Sequence, residues 1–122
     1  MEAQARLEAD LRAQGHTTES VTAGGLPFVL LRDFTVQSGR HEGRVIDLGF
    51  QVVHSYPRNL SPAIHVKADP VLRDKGSNGE FTVMDSALGT GWQYWSFNMD
   101  AVWQGGCGPT LTAIVNEVMN RA

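Results

Sequence analysis

The 122-residue chain lacks the residues on which several protein classes depend. It has a single cysteine, Cys107, so no internal disulfide can form, and no second cysteine or histidine stands near it at zinc-ligand spacing. Lys and Arg number 10 against 13 Asp and Glu, which gives a net charge of −3, and no basic run occurs. We therefore expect neither a metal site nor a nucleic-acid partner, because nucleic-acid binding depends on clustered cations.

Long apolar segments are missing as well. A run of about eighteen apolar residues, as a membrane helix requires, occurs nowhere, and residues 1–6 contain no apolar signal core. We therefore expect no membrane partner and a cytoplasmic location, which also suits a chain with one cysteine. The sequence contains no cofactor-binding or catalytic motif, so we expect no cofactor, and the residues alone do not name a reaction.

What the sequence does contain is a cluster of large aromatic rings. Trp92, Trp95 and Trp103 lie within a span of twelve residues, although only 8% of the chain is aromatic. Rings of this size either fill a core or anchor a partner. We predict that two of the tryptophans are in the core, and that Tyr94 or one tryptophan, with Trp92 as the first choice, stays exposed and anchors the extended tail of a partner.

The length and the 42% hydrophobic composition predict a single domain over residues 1–122. Leu7 and Leu11, among good helix formers, predict a helix near 3–14, and apolar spacing over the last residues predicts a second helix near 109–121. Four further spans have the composition of strands: 28–36, 44–53, 63–68 and 80–84. The predicted fold is α+β, with an antiparallel meander of three or four strands, an irregular segment that contains the tryptophans, and a helix at each end. Loops are predicted at 16–25 and 69–79.

Parts of this outline resemble the ubiquitin-conjugating-enzyme (UBC) fold. Tyr56-Pro57 with Ser61-Pro62 looks like the family's Tyr-Pro…Pro-Pro element, and Trp103 before the last helix looks like the tryptophan beyond the family's active site. Four further segments are similar to a bacterial branch of that family: Leu30 to Phe34, Gly43 to Leu48, Ile64 to Val66, and Ser86 to Ser96. The resemblance implies a role in a bacterial ubiquitin-like conjugation pathway, with a ubiquitin-like protein and its activating enzyme as partners. Antiphage defence is the setting we expect.

The cysteine that carries the thioester in that family is missing from its expected place. Counting back from Trp103 by the family's spacing leads to Trp95 or Ser96, and Asp85-Ser86-Ala87 stand where the family has His-Pro-Asn. The resemblance leaves two candidate catalytic residues, Ser96 as an oxyester acceptor and Cys107 as a thiol beyond the tryptophan. Each also has a structural alternative: Ser96 is then a serine that packs beside a tryptophan, and Cys107 is a small residue in a tight turn.

A serine is a far weaker nucleophile than a thiol unless a base activates it, and no histidine is close to Ser96 in sequence. His54 and His65 are interpreted as surface or structural histidines. The sequence thus predicts a conjugating-enzyme-like protein without the conventional cysteine, or alternatively a non-catalytic binding module or structural subunit of the same fold. The activating enzyme is expected to bind the first helix and the 38–43 loop. The other expected partner-binding residues are Asp85, Ser86, Trp92, Tyr94 and Trp95.

Overall fold

The computed structural model describes residues 2–78, 81–106 and 110–122. The chain forms, in order, α1 (Ala3–Ala13), β1 (Thr18–Ala23), β2 (Leu26–Thr35), β3 (Val45–Gln51), β4 (Ala63–Lys67), β5 (Gly76–Asn78), β6 (Phe81–Asp85), β7 (Trp92–Ser96), α2 (Met99–Trp103) and α3 (Leu111–Arg121). A short 3-10 turn, Gln104–Gly106, follows α2. The strands make one sheet in the order β1-β2-β3-β4-β7-β6-β5, and each of these neighbouring pairs is antiparallel.

The predicted α+β class, with a helix at each end of an antiparallel sheet, is confirmed. Within the described residues the sheet is larger than expected, because it has seven strands and not three or four. The loop predicted at 16–25 contains β1, and the loop predicted at 69–79 contains β5. The segment predicted to be irregular contains β7, an interior strand between β4 and β6. β1 is polar in sequence because it is an edge strand, and its pairing with β2 over all six residues, not its own hydrophobicity, holds it in place.

The helices pack on one face of the sheet, which we call the core face. Leu7 and Leu11 of α1 are buried there, as is the apolar stripe of α3, which the spacing predicted. Its buried members are Leu111, Ile114, Val115, Val118 and Met119. α3 begins at a Thr110 cap, whose hydroxyl accepts the backbone N–H of Ala113. Among the described residues no helix has the length and apolar character needed to cross a bilayer.

The opposite side of the sheet, which we call the outer face, carries a second and smaller apolar cluster. One cross-strand row runs over it through Leu30, Gly49, His65, Tyr94 and Met84, which belong to β2, β3, β4, β7 and β6. The buried members of the cluster are Phe28, Leu30 and Trp92. The helices of the described residues bury their apolar side chains in the core-face cluster and not in this one, so the outer face is the side that a loop or a partner can cover.

Candidate functional site

The connection between β6 and β7, residues 86–91, folds back over the outer face, and we call it the 86–91 loop. Leu88 packs where Gly49 leaves room, since a Cβ atom added to Gly49 would lie 2.7 Å from Leu88 Cδ1. Gly89 and Gly91 have φ angles of 104° and 88°, which glycine tolerates and other residues rarely adopt. The glycines therefore let the loop turn back onto the sheet and hold its first residue, Ser86, against β4.

Ser86 forms the closest polar contact of this loop with the sheet. Its Oγ atom lies 2.6 Å from Nδ1 of His65 and accepts the backbone N–H of Leu88 at 3.0 Å. The Ser86 hydroxyl keeps its own proton and a second lone pair, so the tautomer of His65 sets the direction of this hydrogen bond. A neutral His65 that carries its proton on Nε2 accepts the hydroxyl proton at Nδ1.

His65 is buried inside the outer-face cluster, with 2% of its surface exposed. The rings of Phe28 and Tyr94 meet the imidazole edge-on, with centroid distances of 5.0 and 5.4 Å. Nε2 is buried and has no hydrogen-bond partner within the described part of the chain. This burial lowers the pKa of His65 to about 4, because charging the ring would require hydration that the site does not provide. The imidazole is therefore neutral at physiological pH.

Sequence reasoning interpreted His65 as a surface or structural histidine and did not connect it with Ser86. The two residues are 21 positions apart, and the sheet brings them together, because His65 faces Tyr94 on β7 and Tyr94 faces Met84 on β6. The one signal in the sequence was the alternation of His65 with Ile64 and Val66, which put the imidazole on the face opposite the core.

Ser96, the serine that the family spacing indicates, has different surroundings. It is the last residue of β7, where it pairs with Ala63 of β4 and Thr82 of β6. Because strand side chains alternate, Ser96 lies on the outer face with Tyr94. Its side chain is half-buried, and none of the hydrogen bonds found within residues 2–78, 81–106 and 110–122 involves it.

The polar residues close to Ser96 in sequence have other partners. Asp100 Oδ1 accepts a backbone N–H at 2.8 Å, and Asn98 Oδ1 accepts a backbone N–H at the start of α2. Asp85 is paired along the strands with Gln93, well away from Ser96, and forms an ion pair with Lys75 at 2.8 Å. The structure thus brings a base to Ser86, whereas Asp85, Asn98 and Asp100 have partners other than Ser96.

All three tryptophans are buried, with exposures of 8% for Trp92, 0% for Trp95 and 7% for Trp103. The prediction that Trp92 stays exposed is wrong. The physical reason is that residues 92–96 form an interior strand, so Trp92 faces the outer cluster and Trp95 faces the helices. Tyr94 is half-buried, and Met84 beside it is 47% exposed, so this part of the row remains open to a partner.

The residues that resemble the UBC elements contact one another away from this loop. The rings of Tyr56 and Trp103 stack at 5.8 Å, and the Trp103 indole donates to the carbonyl of Pro57 at 2.8 Å. The Tyr56 hydroxyl donates to Asp10 of α1, and burial together with that carboxylate raises the pKa of Tyr56. These contacts join α1 to α2. Cys107 lies outside the described residues.

Neither a curated protein nor a solved structure matches the chain. A family profile described as prokaryotic E2 family E matches residues 6–122, which include α3 and every strand of the sheet. E2 is the usual designation of ubiquitin-conjugating enzymes, and the α+β architecture described above is UBC-like. The chain therefore belongs to prokaryotic E2 family E.

Proposed function

We propose that this chain binds a ubiquitin-like protein and its activating enzyme in the bacterial cytoplasm, as a conjugating-enzyme-like member of a ubiquitin-like pathway. The observation that supports the proposal is the family match, which spans residues 6–122 and so includes α1 from Arg6 onward and the whole of β7. A UBC-like fold alone would not identify the function, because proteins with one fold have many different functions. A non-catalytic module of the same fold would use the same surfaces without a covalent step.

The ubiquitin-like tail is proposed to lie along the outer face beside β7. Tyr94 and the exposed Met84 offer apolar contact there, and Ser86 and Ser96 provide polar groups on either side. Asp85, also exposed, stands at the end of β6 next to Ser86. An aromatic ring that is partly exposed on a rigid strand loses little conformational entropy on binding. In this arrangement Trp92 and Trp95 act from within the fold, since both are buried and support the strand that carries Tyr94.

The activating enzyme is proposed to bind the side of the domain formed by α1 and the 38–43 loop. Both pack against α3: Gln14, which follows α1, accepts the Thr112 N–H, and Gly39 touches the backbone at Met119. A Cβ atom at Gly39 would lie 2.8 Å from the Met119 carbonyl oxygen, so only glycine allows this contact. The exposed cations on this side are Arg6, Arg12 and Arg40. Arg6 and Arg12 form ion pairs with Asp10 and Glu8 of the same helix, so this side carries both signs of charge.

Titration with the ubiquitin-like protein tests the binding surface. Genes for a ubiquitin-like protein and an activating enzyme beside this gene would identify the partners, and antiphage defence is the setting we expect for them. We expect Tyr94→Ala to weaken binding by about 1–3 kcal/mol and to leave the fold intact. Val71→Ala is the matched control, because Val71 is an exposed apolar residue outside the sheet. Equal affinities for both variants and the wild type would place the tail elsewhere.

A reaction with activating enzyme and ATP tests the covalent part. We expect a non-covalent complex to form more readily than a thioester at Cys107, because the family's nucleophile precedes its tryptophan and Cys107 follows Trp103. A thiol-sensitive adduct that disappears in Cys107→Ser would contradict this expectation. A hydroxylamine-sensitive adduct that survives thiol and disappears in Ser96→Ala would assign oxyester transfer to Ser96.

A further inference from the structure

Two serines on the outer side of the sheet differ in the one feature that nucleophilic catalysis needs. Ser86 and Ser96 are both half-buried, and both belong to the segment similar to the bacterial UBC branch. Ser86 has a base at hydrogen-bond distance, since its Oγ atom lies 2.6 Å from Nδ1 of His65, and among the described residues Ser96 has no such partner. A hydroxyl becomes a useful nucleophile when a positioned base takes its proton.

We propose that Ser86 is an acyl-accepting nucleophile, that His65 is its general base, and that the substrate class is a carboxyl group carried as a thioester at the end of a polypeptide. This assignment rests on the proposed function, because the polypeptide would be the ubiquitin-like protein. It moves the nucleophile from the position that the family spacing indicates to the residue that the fold provides with a base.

The surroundings of Ser86 allow an acyl donor to approach. It stands at the junction of β6 and the 86–91 loop, where Asp85 and Ala87 on both sides are exposed. The Leu88 N–H holds the Ser86 oxygen in one orientation, and an oxygen that accepts one hydrogen bond keeps a second lone pair for attack. The exposed residues 89–91 border the same site, and Tyr94 and Met84 lie next to His65 in the cross-strand row.

The surroundings of His65 keep the base in its accepting form. Phe28 and Tyr94 enclose the ring, and its Nε2 atom has no partner among the described residues. A neutral imidazole that carries its proton on Nε2 can accept a proton at Nδ1, whereas an imidazolium cannot. A buried imidazole is a weaker base than an exposed one, so we expect a slow, stoichiometric acylation in the absence of partners.

The chemical step is an acyl transfer from sulfur to oxygen. The Ser86 oxygen attacks the thioester carbonyl carbon, and its proton passes to Nδ1 of His65. When the tetrahedral intermediate collapses, the carbon–sulfur bond breaks and the proton passes from His65 to the leaving thiolate. The products are a Ser86 oxyester and a free thiol, so no oxidant, reductant or further reactant is needed.

The test treats the full chain with a short peptide that carries a C-terminal thioester, followed by intact-mass measurement after a thiol wash. The wash removes acyl groups from Cys107, whereas a serine oxyester survives thiol and is cleaved by hydroxylamine. We expect one such acyl group, mapped to Ser86, which is lost in Ser86→Ala and retained in Ser77→Ala, a control at an exposed serine of β5 whose hydroxyl contacts Thr82. His65→Asn keeps an acceptor oxygen near the position of Nδ1 but has no basicity, and it should slow acylation by roughly 10²-fold.

A second variant tests residue 86 as the site of acylation, even if His65→Asn does not fold. Ser86→Cys should convert the adduct from thiol-resistant to thiol-sensitive at the same residue, in a background in which Cys107 is replaced by alanine. The proposal is overturned if the wild type gains no thiol-resistant acyl group, if Ser86→Ala keeps it, or if folded His65→Asn reacts at the wild-type rate. The peptide requires no partner, so failed acylation with intact partner binding rejects only this assignment. Acylation without partner binding rejects only the proposed function.

Discussion

The two faces of the sheet differ in what covers them and in what they contain. On the core face, α1 and α3 cover apolar side chains, and Trp95 is fully buried among them. On the outer face, the 86–91 loop covers a row in which His65 lies between Gly49 and Tyr94. The core face is explained by stability alone. The outer face buries a histidine at a cost in stability, which directs attention to a function there.

The alternation along β7 makes this difference testable within one strand. Trp95 points to the helices, and Trp92 points to the outer cluster. We expect Trp95→Ala to lower the free energy of unfolding by about 3–5 kcal/mol, because rigid helices and strands enclose the space that it leaves. Trp92→Ala should cost about 2–3 kcal/mol, because the 86–91 loop can partly close over the smaller residue. Urea unfolding measures both, and equal losses would show that the two faces are equally rigid.

The buried His65 makes the stability of the folded protein depend on pH. Its pKa is about 4 in the folded protein and near 6.5 when exposed, so the unfolded chain binds the proton first as pH falls. His65 therefore leaves the free energy of unfolding unchanged above pH 6.5. Between pH 6.5 and 4 it lowers that free energy progressively, by about 1–3 kcal/mol in all.

Unfolding free energies of the wild type and His65→Gln at pH 7.5 and 4.5 measure this contribution. Burial also lowers the pKa of His16 and His41, so the wild type loses stability from several histidines over the same range. The variant should lose less stability than the wild type on acidification. An identical loss in both proteins would show that His65 is not buried in a neutral form.

The smallest expected effect concerns the fit between Gly49 and Leu88. We expect Gly49→Ala to cost about 1–2 kcal/mol, because the new methyl group would meet Leu88 Cδ1 at 2.7 Å and displace the loop. In a Leu88→Ala background the same change should cost less, with a coupling of at least about 0.5 kcal/mol. Thermal or urea unfolding of the wild type, the two single variants and the double variant completes this double-mutant cycle. Additive effects would show that the loop does not depend on this contact.

The sequence predicted the parts of the fold in which one face of an element is strongly apolar. The stripe from Leu111 to Met119 and the pair Leu7 and Leu11 predicted both terminal helices, because a helix that must bury a face shows that face at a fixed spacing. β1 and β5 were missed because edge strands need little hydrophobicity. β7 was missed because five residues that combine rings with polar groups have no clear period.

The candidate site was predicted only in part. Composition and resemblance indicated the family, the segment from Ser86 to Ser96, and the absence of the family's cysteine before Trp103. Only the tertiary structure decided which serine meets a histidine, because that depends on the register of β4, β7 and β6 and on the return of the 86–91 loop. The burial of Trp92 was also decided by the tertiary structure, because the exposure of a ring depends on the strands and loops that pack around it. Local sequence sets which residues can form a helix or a strand, whereas pairing between distant segments sets which side chains meet.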